Sequence, residues 1–129
     1  MPVESFPDRV FAIVAQIPFG QVTTYGRIAA ALGRPRLPHV VGWAVHDGPA
    51  GLPFHRVVNK VGFLSGGWKF GHPDRMQAML EAEGVPFLAV HQVDLAKCVW
   101  EPMSVAVFLS ASPDEMDDLD AIFGFKDTD

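Results

Sequence analysis

The sequence predicts a mainly α-helical domain with a short β element, built round a helix-turn-helix. Three observations predict it. Apolar residues recur at helical spacing in several stretches, each with its own start and stop signals. Two of the helical stretches are short and joined by a tight turn, the outline of a helix-turn-helix. Mid-chain, Pro53-Phe54-His55-Arg56-Val57-Val58 reads as a buried turn running into a strand.

The first predicted helix spans residues 6–17. Val10, Val14 and Ile17 follow helical spacing, with Phe11 beside them. Ser5 suits the cap, Pro7 and Asp8 suit the first turn, and Pro18-Phe19-Gly20 suits the end. The second runs from Thr23 to Gly33, with Thr23 or Thr24 as cap and Gly33 just past the end. A loop over residues 34–38 leads into a third helix, His39–His46, closed by Asp47-Gly48-Pro49. A fourth runs from His72 to Gly84, with Pro73 at its first position. Met76, Met79, Leu80 and Glu83 share one face of it, so Glu83 is expected to point inward.

At 129 residues and 49% hydrophobic content, the chain suits one domain with an appendage. The divisions expected are 1–102 for the folded domain and 103–129 for an acidic extension. In that extension Val105–Leu109 is a short apolar run. Met116, Leu119, Ile122 and Phe123 recur near helical spacing among acids. It reads either as a solvated tail or as a segment that docks on the body. No apolar run reaches 18 residues, so no membrane span is expected. No basic and apolar leader opens the sequence, and a single Cys98 excludes an internal disulfide. A cytoplasmic monomer is the expectation. Cys98 reads as a small buried hydrophobe.

The net charge of −5 is uneven: residues 113–129 hold seven acids against Lys126, so residues 1–112 carry +1. A near-neutral body with basic residues on one face can bind phosphate. The five histidines and Cys98 lack paired metal-ligand spacing; His39 and His46 stand seven apart on one helix, too far for one ion. No phosphate loop or dinucleotide fingerprint is present. Neither cofactor nor metal is expected.

Ile17-Pro18-x-Gly20-x-Val22-x-Thr24-Tyr25-Gly26-x-Ile28-Ala29, then Gly33-x-Pro35, then Val41-Gly42-x-Ala44, and finally Pro53-x-His55-Arg56-Val57 form a specific set. It resembles the C-terminal, DNA-binding domain of the O6-alkylguanine-DNA alkyltransferases, over residues 6–100. The nucleophilic Cys of that family falls where Phe54 stands, so the resemblance is to the alkyltransferase-like proteins. These recognise alkylated DNA without repairing it. The implied fold is the winged helix-turn-helix-like alkyltransferase C-terminal domain, closed by a segment in which a strand-like Val93-Asp94-Leu95 precedes Trp100.

The resemblance also implies a site. Tyr25 matches the Tyr that presses on the phosphate beside a nucleotide being flipped; otherwise it is a core aromatic. His39 falls at the family's intercalating Arg. It either stacks in the base gap or is a solvent-exposed residue at a helix start. Arg34 and Arg36 are candidates for phosphate contacts. Phe54, His55, Arg56, Ser65 and Gly66 are expected to frame the lesion pocket. There Phe54 either stacks on a flipped purine or simply fills space. The Ser65, Gly66 and Gly67 amides either contact the base edge or a phosphate, or form a plain turn. Leu64 stands where the family's proton-donating Tyr falls. His55 and Glu83 match the family's activating relay; without a nucleophile they read as structural. An Asn-Pro hinge of the family is Gly48-Pro49 here.

The implied function is non-enzymatic recognition of O6-alkylguanine in double-stranded DNA by base flipping, with hand-over to nucleotide excision repair proteins. The alternative is a divergent relative that has lost lesion binding and serves as a protein-interaction or regulatory domain.

Overall fold

The computed structural model describes residues 5–103. Helix α1 is Phe6–Val14. Ser5 and Asp8 form a reciprocal capping box: Asp8 N donates to Ser5 Oγ at 3.2 Å and Ser5 N to Asp8 Oδ2 at 3.3 Å. The helix buries Phe6, Val10, Ile13 and Val14. It ends at Val14, three residues short of Ile17, and tightens into a turn in which Gln16 N donates to Ile13 O and Ile17 N to Val14 O, ahead of Pro18, which has no N–H to continue the helix. Ile17 still points into the core, which prolongs the apolar pattern beyond the helix itself.

Thr23–Thr24 form strand β1, which the helical pattern did not suggest. It pairs in parallel with β2, Val57–Val58, in the register Thr23↔Val57 and Thr24↔Val58. Thr24 ends β1 and caps helix α2, Tyr25–Ala31, by accepting from Arg27 N at 3.1 Å. Gly33 terminates α2 at φ +78°. Helix α3 is Pro38–Asp47, with proline in its first turn. Helices α2 and α3 pack on each other and α3 on α1, so the helix-turn-helix rests on a core of Val10, Val14, Ile28, Val41 and Val45.

A 3₁₀ turn, Phe54–Arg56, delivers the chain into β2. A second such turn, Gly67–Phe70, precedes helix α4, Pro73–Ala82. Glu83 is the C-cap residue of α4 and Gly84 follows at φ +83°. Strands β3, Phe87–Ala89, and β4, Gln92–Val93, form an antiparallel hairpin. Of the expected strand-like Val93-Asp94-Leu95, only Val93 lies in a strand. Asp94 N bonds Pro86 O at 2.8 Å, and the chain then coils into helix α5, Leu95–Cys98. Cys98 is buried in a second core with Val22, Val58, Leu64, Met76 and Leu80. Among the described residues no helix is long and apolar enough to cross a membrane. Both expectations for the extension, the Val105–Leu109 run and the helical spacing from residue 113, lie outside the described residues.

Candidate nucleic-acid interface

The outer face of α3 and the start of α2 border a hollow of about 620 Å³, lined by Tyr25, His39, Trp43, Lys60, Ser65 and Gly66 among others. Tyr25 enters it because Thr24 caps the helix directly before it. Its hydroxyl shares a hydrogen bond with Ser65; burial raises its pKa, against the opposing effect of that bond, so the phenol stays neutral. Gly66 makes this approach possible, since a β-carbon there would stand 2.6 Å from the Tyr25 hydroxyl. His39 is exposed on the first turn of α3. Its ring meets Trp43 edge-to-face at 5.3 Å, one helical turn on. Trp43 is 57% exposed, far more than an indole needs for packing alone. A neutral phenol and two adjoining aromatic rings can stack on bases, with Lys60 available to a phosphate.

The two arginines of the helix-turn-helix loop separate. Arg36 is exposed. Arg34 is buried, and its Nη1 donates to Gly33 O at 3.3 Å, so it stabilises the turn. The expected phosphate contact of Arg34 therefore falls on a side chain with little exposed surface.

Phe54 lies on a different side. It is 3% exposed, edge-to-face with Phe11 at 5.8 Å. Lys69 Nζ sits 4.7 Å above its ring centre and donates to the carbonyls of His46 and Gly48, both at 3.0 Å. That lysine ties the Gly67–Phe70 turn to the end of α3. Phe54, His55 and Arg56 border a second hollow of about 800 Å³ with Gly48, Pro53 and Lys69. The five residues expected in one lesion pocket therefore divide: Ser65 and Gly66 join Tyr25, whereas Phe54, His55 and Arg56 join Lys69. The reason is that Phe54 packs inward as a core residue, with Lys69 over its face. Leu64, at the position of the family's proton-donating Tyr, is buried in the second core.

The relay residues do come together. Glu83 Oε2 accepts from His55 Nε2 at 2.7 Å and Arg56 Nη2 at 2.9 Å. Glu83 Oε1 accepts from Arg56 Nε at 2.9 Å and Gly20 N at 3.0 Å. Arg56 Nη1 donates to Ile17 O at 2.8 Å. Burial alone would push the Glu83 carboxyl up; the donors from Arg56, Gly20 and His55 prevail and hold its pKa at about 2. All four donors converge on one carboxylate, which fixes the His55-Arg56 turn against the Ile17–Gly20 loop. Cys98 has its thiol pKa pushed up by burial and by Asp94, and its Sγ donates to Asp94 O at 3.3 Å. A thiol so held is a poor nucleophile.

Sequence reasoning missed Trp43, Lys60 and Lys69. Trp43 was discoverable as the i+4 neighbour of His39. Lys69 carries no local signal, because its hydrogen-bond partners lie more than twenty residues away.

Similarity to known proteins agrees with this architecture. A family model described as 6-O-methylguanine DNA methyltransferase, DNA binding domain, matches residues 5–85. The chain is 45% identical over 101 residues to the DNA base-flipping protein of Escherichia coli (strain K12), covering 75% of each chain. It is 34% identical over 108 residues to alkyltransferase-like protein 1 of Schizosaccharomyces pombe, covering 79% of this chain and 100% of that one. The crystal structure of S. pombe Atl1 in complex with damaged DNA containing O6-carboxymethylguanine superposes with a TM-score of 0.64 at 33% identity, over 79% of this chain and 100% of that one. With the helix-turn-helix, the His-Arg turn and its glutamate in place, the chain belongs to the 6-O-methylguanine DNA methyltransferase DNA-binding domain family.

Proposed function

We propose that this chain recognises O6-alkylguanine in duplex DNA by base flipping and transfers no alkyl group. One turn carries the reading: it pairs a fully hydrogen-bonded His55-Arg56-Glu83 network with an unreactive phenyl ring at Phe54. A retained frame without a nucleophile suits binding and not chemistry. The chain's one thiol, Cys98, is buried and engaged with Asp94. Tyr25 presses on the backbone beside the lesion, and His39 enters the gap left by the flipped base. Arg36 and Lys60 supply phosphate contacts. The bound lesion is then a signal for nucleotide excision repair.

The test is binding to a short duplex with one O6-methylguanine against the same duplex with guanine, at a fixed salt concentration. Preference for the lesion, lost in Tyr25→Ala, is the expected result, with no gain in protein mass after incubation. Equal affinity for both duplexes refutes lesion recognition and favours a protein-interaction role. An alkyl adduct on the protein refutes the non-enzymatic reading.

A further inference from the structure

The start of α4 and the tip of the β3–β4 hairpin meet in a cluster that the DNA-binding reading leaves unused. Asp74 stands between two imidazoles. Its Oδ1 lies 2.5 Å from His91 Nε2 and its Oδ2 3.5 Å from His72 Nδ1. One nitrogen of each ring and a carboxylate oxygen all lie within 4.8 Å of one another. His91 reaches this position at φ +62°, the only non-glycine among the described residues with positive φ. A hairpin tip ordinarily gives that conformation to glycine or asparagine, because a larger side chain is strained there. Here it is fixed from two sides: His91 N donates to Gln77 Oε1 at 2.9 Å, and His91 O accepts from Leu64 N at 3.0 Å. The strained backbone thus holds an imidazole against a carboxylate of another element.

We infer that His72, Asp74 and His91 form a site for a divalent transition-metal ion of the zinc and nickel class. Two imidazoles and one carboxylate suit these borderline ions, whereas magnesium and calcium require oxygen sets. Ligands about 2.0–2.2 Å from a tetrahedral zinc lie about 3.4 Å from each other. The His72–Asp74 pair, at 3.5 Å, already has that separation. The His91–Asp74 pair, at 2.5 Å, is closed by a hydrogen bond. The ion takes the place of that bond: the pair widens and the neutral imidazole presents Nε2 as a lone pair, with its N–H carried on Nδ1. His72 Nδ1 now accepts the Asp74 amide at 3.0 Å, and ligation redirects that lone pair to the ion. Three protein ligands leave a fourth position for water, as open sites require. Sequence spacing did not reveal the set, because His91 lies on a separate element from His72 and Asp74.

The test is calorimetric titration of the full chain with ZnCl₂ and NiCl₂, with MgCl₂ as control for the acids of residues 113–129. One zinc ion per chain, with no comparable magnesium signal, is expected. His91→Asn tolerates the left-handed backbone and removes the imidazole. Asp74→Asn removes the charge. Each should weaken zinc at least about tenfold while circular dichroism stays unchanged. Zinc binding of undiminished strength in both variants, or none beyond the magnesium control in the parent chain, overturns the site.

Discussion

Gly48→Ala is expected to destabilise the fold, and Phe54→Leu to relieve that penalty. Gly48 has φ −68° and ψ 157°, a backbone that alanine adopts freely. On backbone grounds the substitution should stabilise by about 0.4–1 kcal/mol through the unfolded chain. The added β-carbon would, however, stand 2.8 Å from Phe54 Cε2, closer still to Cζ, and 3.1 Å from Phe11 Cε1. The Phe54 ring cannot swing away, being packed on Phe11 and covered by Lys69. Overpacking of this kind costs about 1–3 kcal/mol. Leucine at position 54 lacks the two ring atoms that collide, so only the milder Phe11 contact remains. Urea unfolding of the parent, both single variants and the double variant gives the coupling directly. We expect a coupling of about 1–2 kcal/mol, with Gly48→Ala close to neutral in the leucine background. A coupling under about 0.5 kcal/mol would refute the idea that position 48 must be glycine because position 54 is phenylalanine.

Three further outcomes follow from the site. Glu83, held at about 2 against an unfolded value of about 4.3, contributes on the order of 3 kcal/mol in its ionised form. Because its pKa is lowered on folding, that contribution is complete above about pH 4.5 and disappears as pH falls toward 2; urea midpoints of Glu83→Gln should be lower at pH 7 and flatter across this window than those of the parent. Gly66→Ala drives a β-carbon into the Tyr25 hydroxyl, so fluorescence anisotropy should show weaker lesion binding while the thermal midpoint shifts only slightly; undiminished binding would mean Tyr25 does not act from this position. His39→Arg brings a planar guanidinium with more donors to the base gap, so it should tighten lesion binding; unchanged affinity would place residue 39 away from the DNA.

Much of the helical frame was legible because its signals are local. Ser5, Thr24, Gly33, Pro73 and Gly84 mark helix boundaries through their own chemistry, and each sits where that chemistry requires. Glu83 was readable as inward-facing from the α4 pattern, and it does meet His55. The parallel pairing of Thr23–Thr24 with Val57–Val58 was not legible, since two-residue strands have no period to detect. Nor was the burial of Arg34, which tertiary packing decides against the ordinary preference of an arginine for solvent. Phe54 was readable as a residue that cannot react, yet its direction depended on Lys69 and Gly48, which no spacing connects to it.

The Glu83 carboxylate also sets an order of assembly. Helices α2 and α3 are neighbours in sequence and need only a short loop to meet, so the helix-turn-helix can form early. The His55-Arg56 turn waits for two distant closures. The β1–β2 ladder joins position 23 to 57, and Glu83 joins position 20 to 83. Each closure spends loop entropy before any hydrogen bond repays it. A carboxylate that has met only some of its donors is a buried charge without compensation, so its contacts form together or not at all. On a chain growing from its N-terminus, the turn that holds Phe54 therefore stays unfixed until synthesis has passed the end of α4.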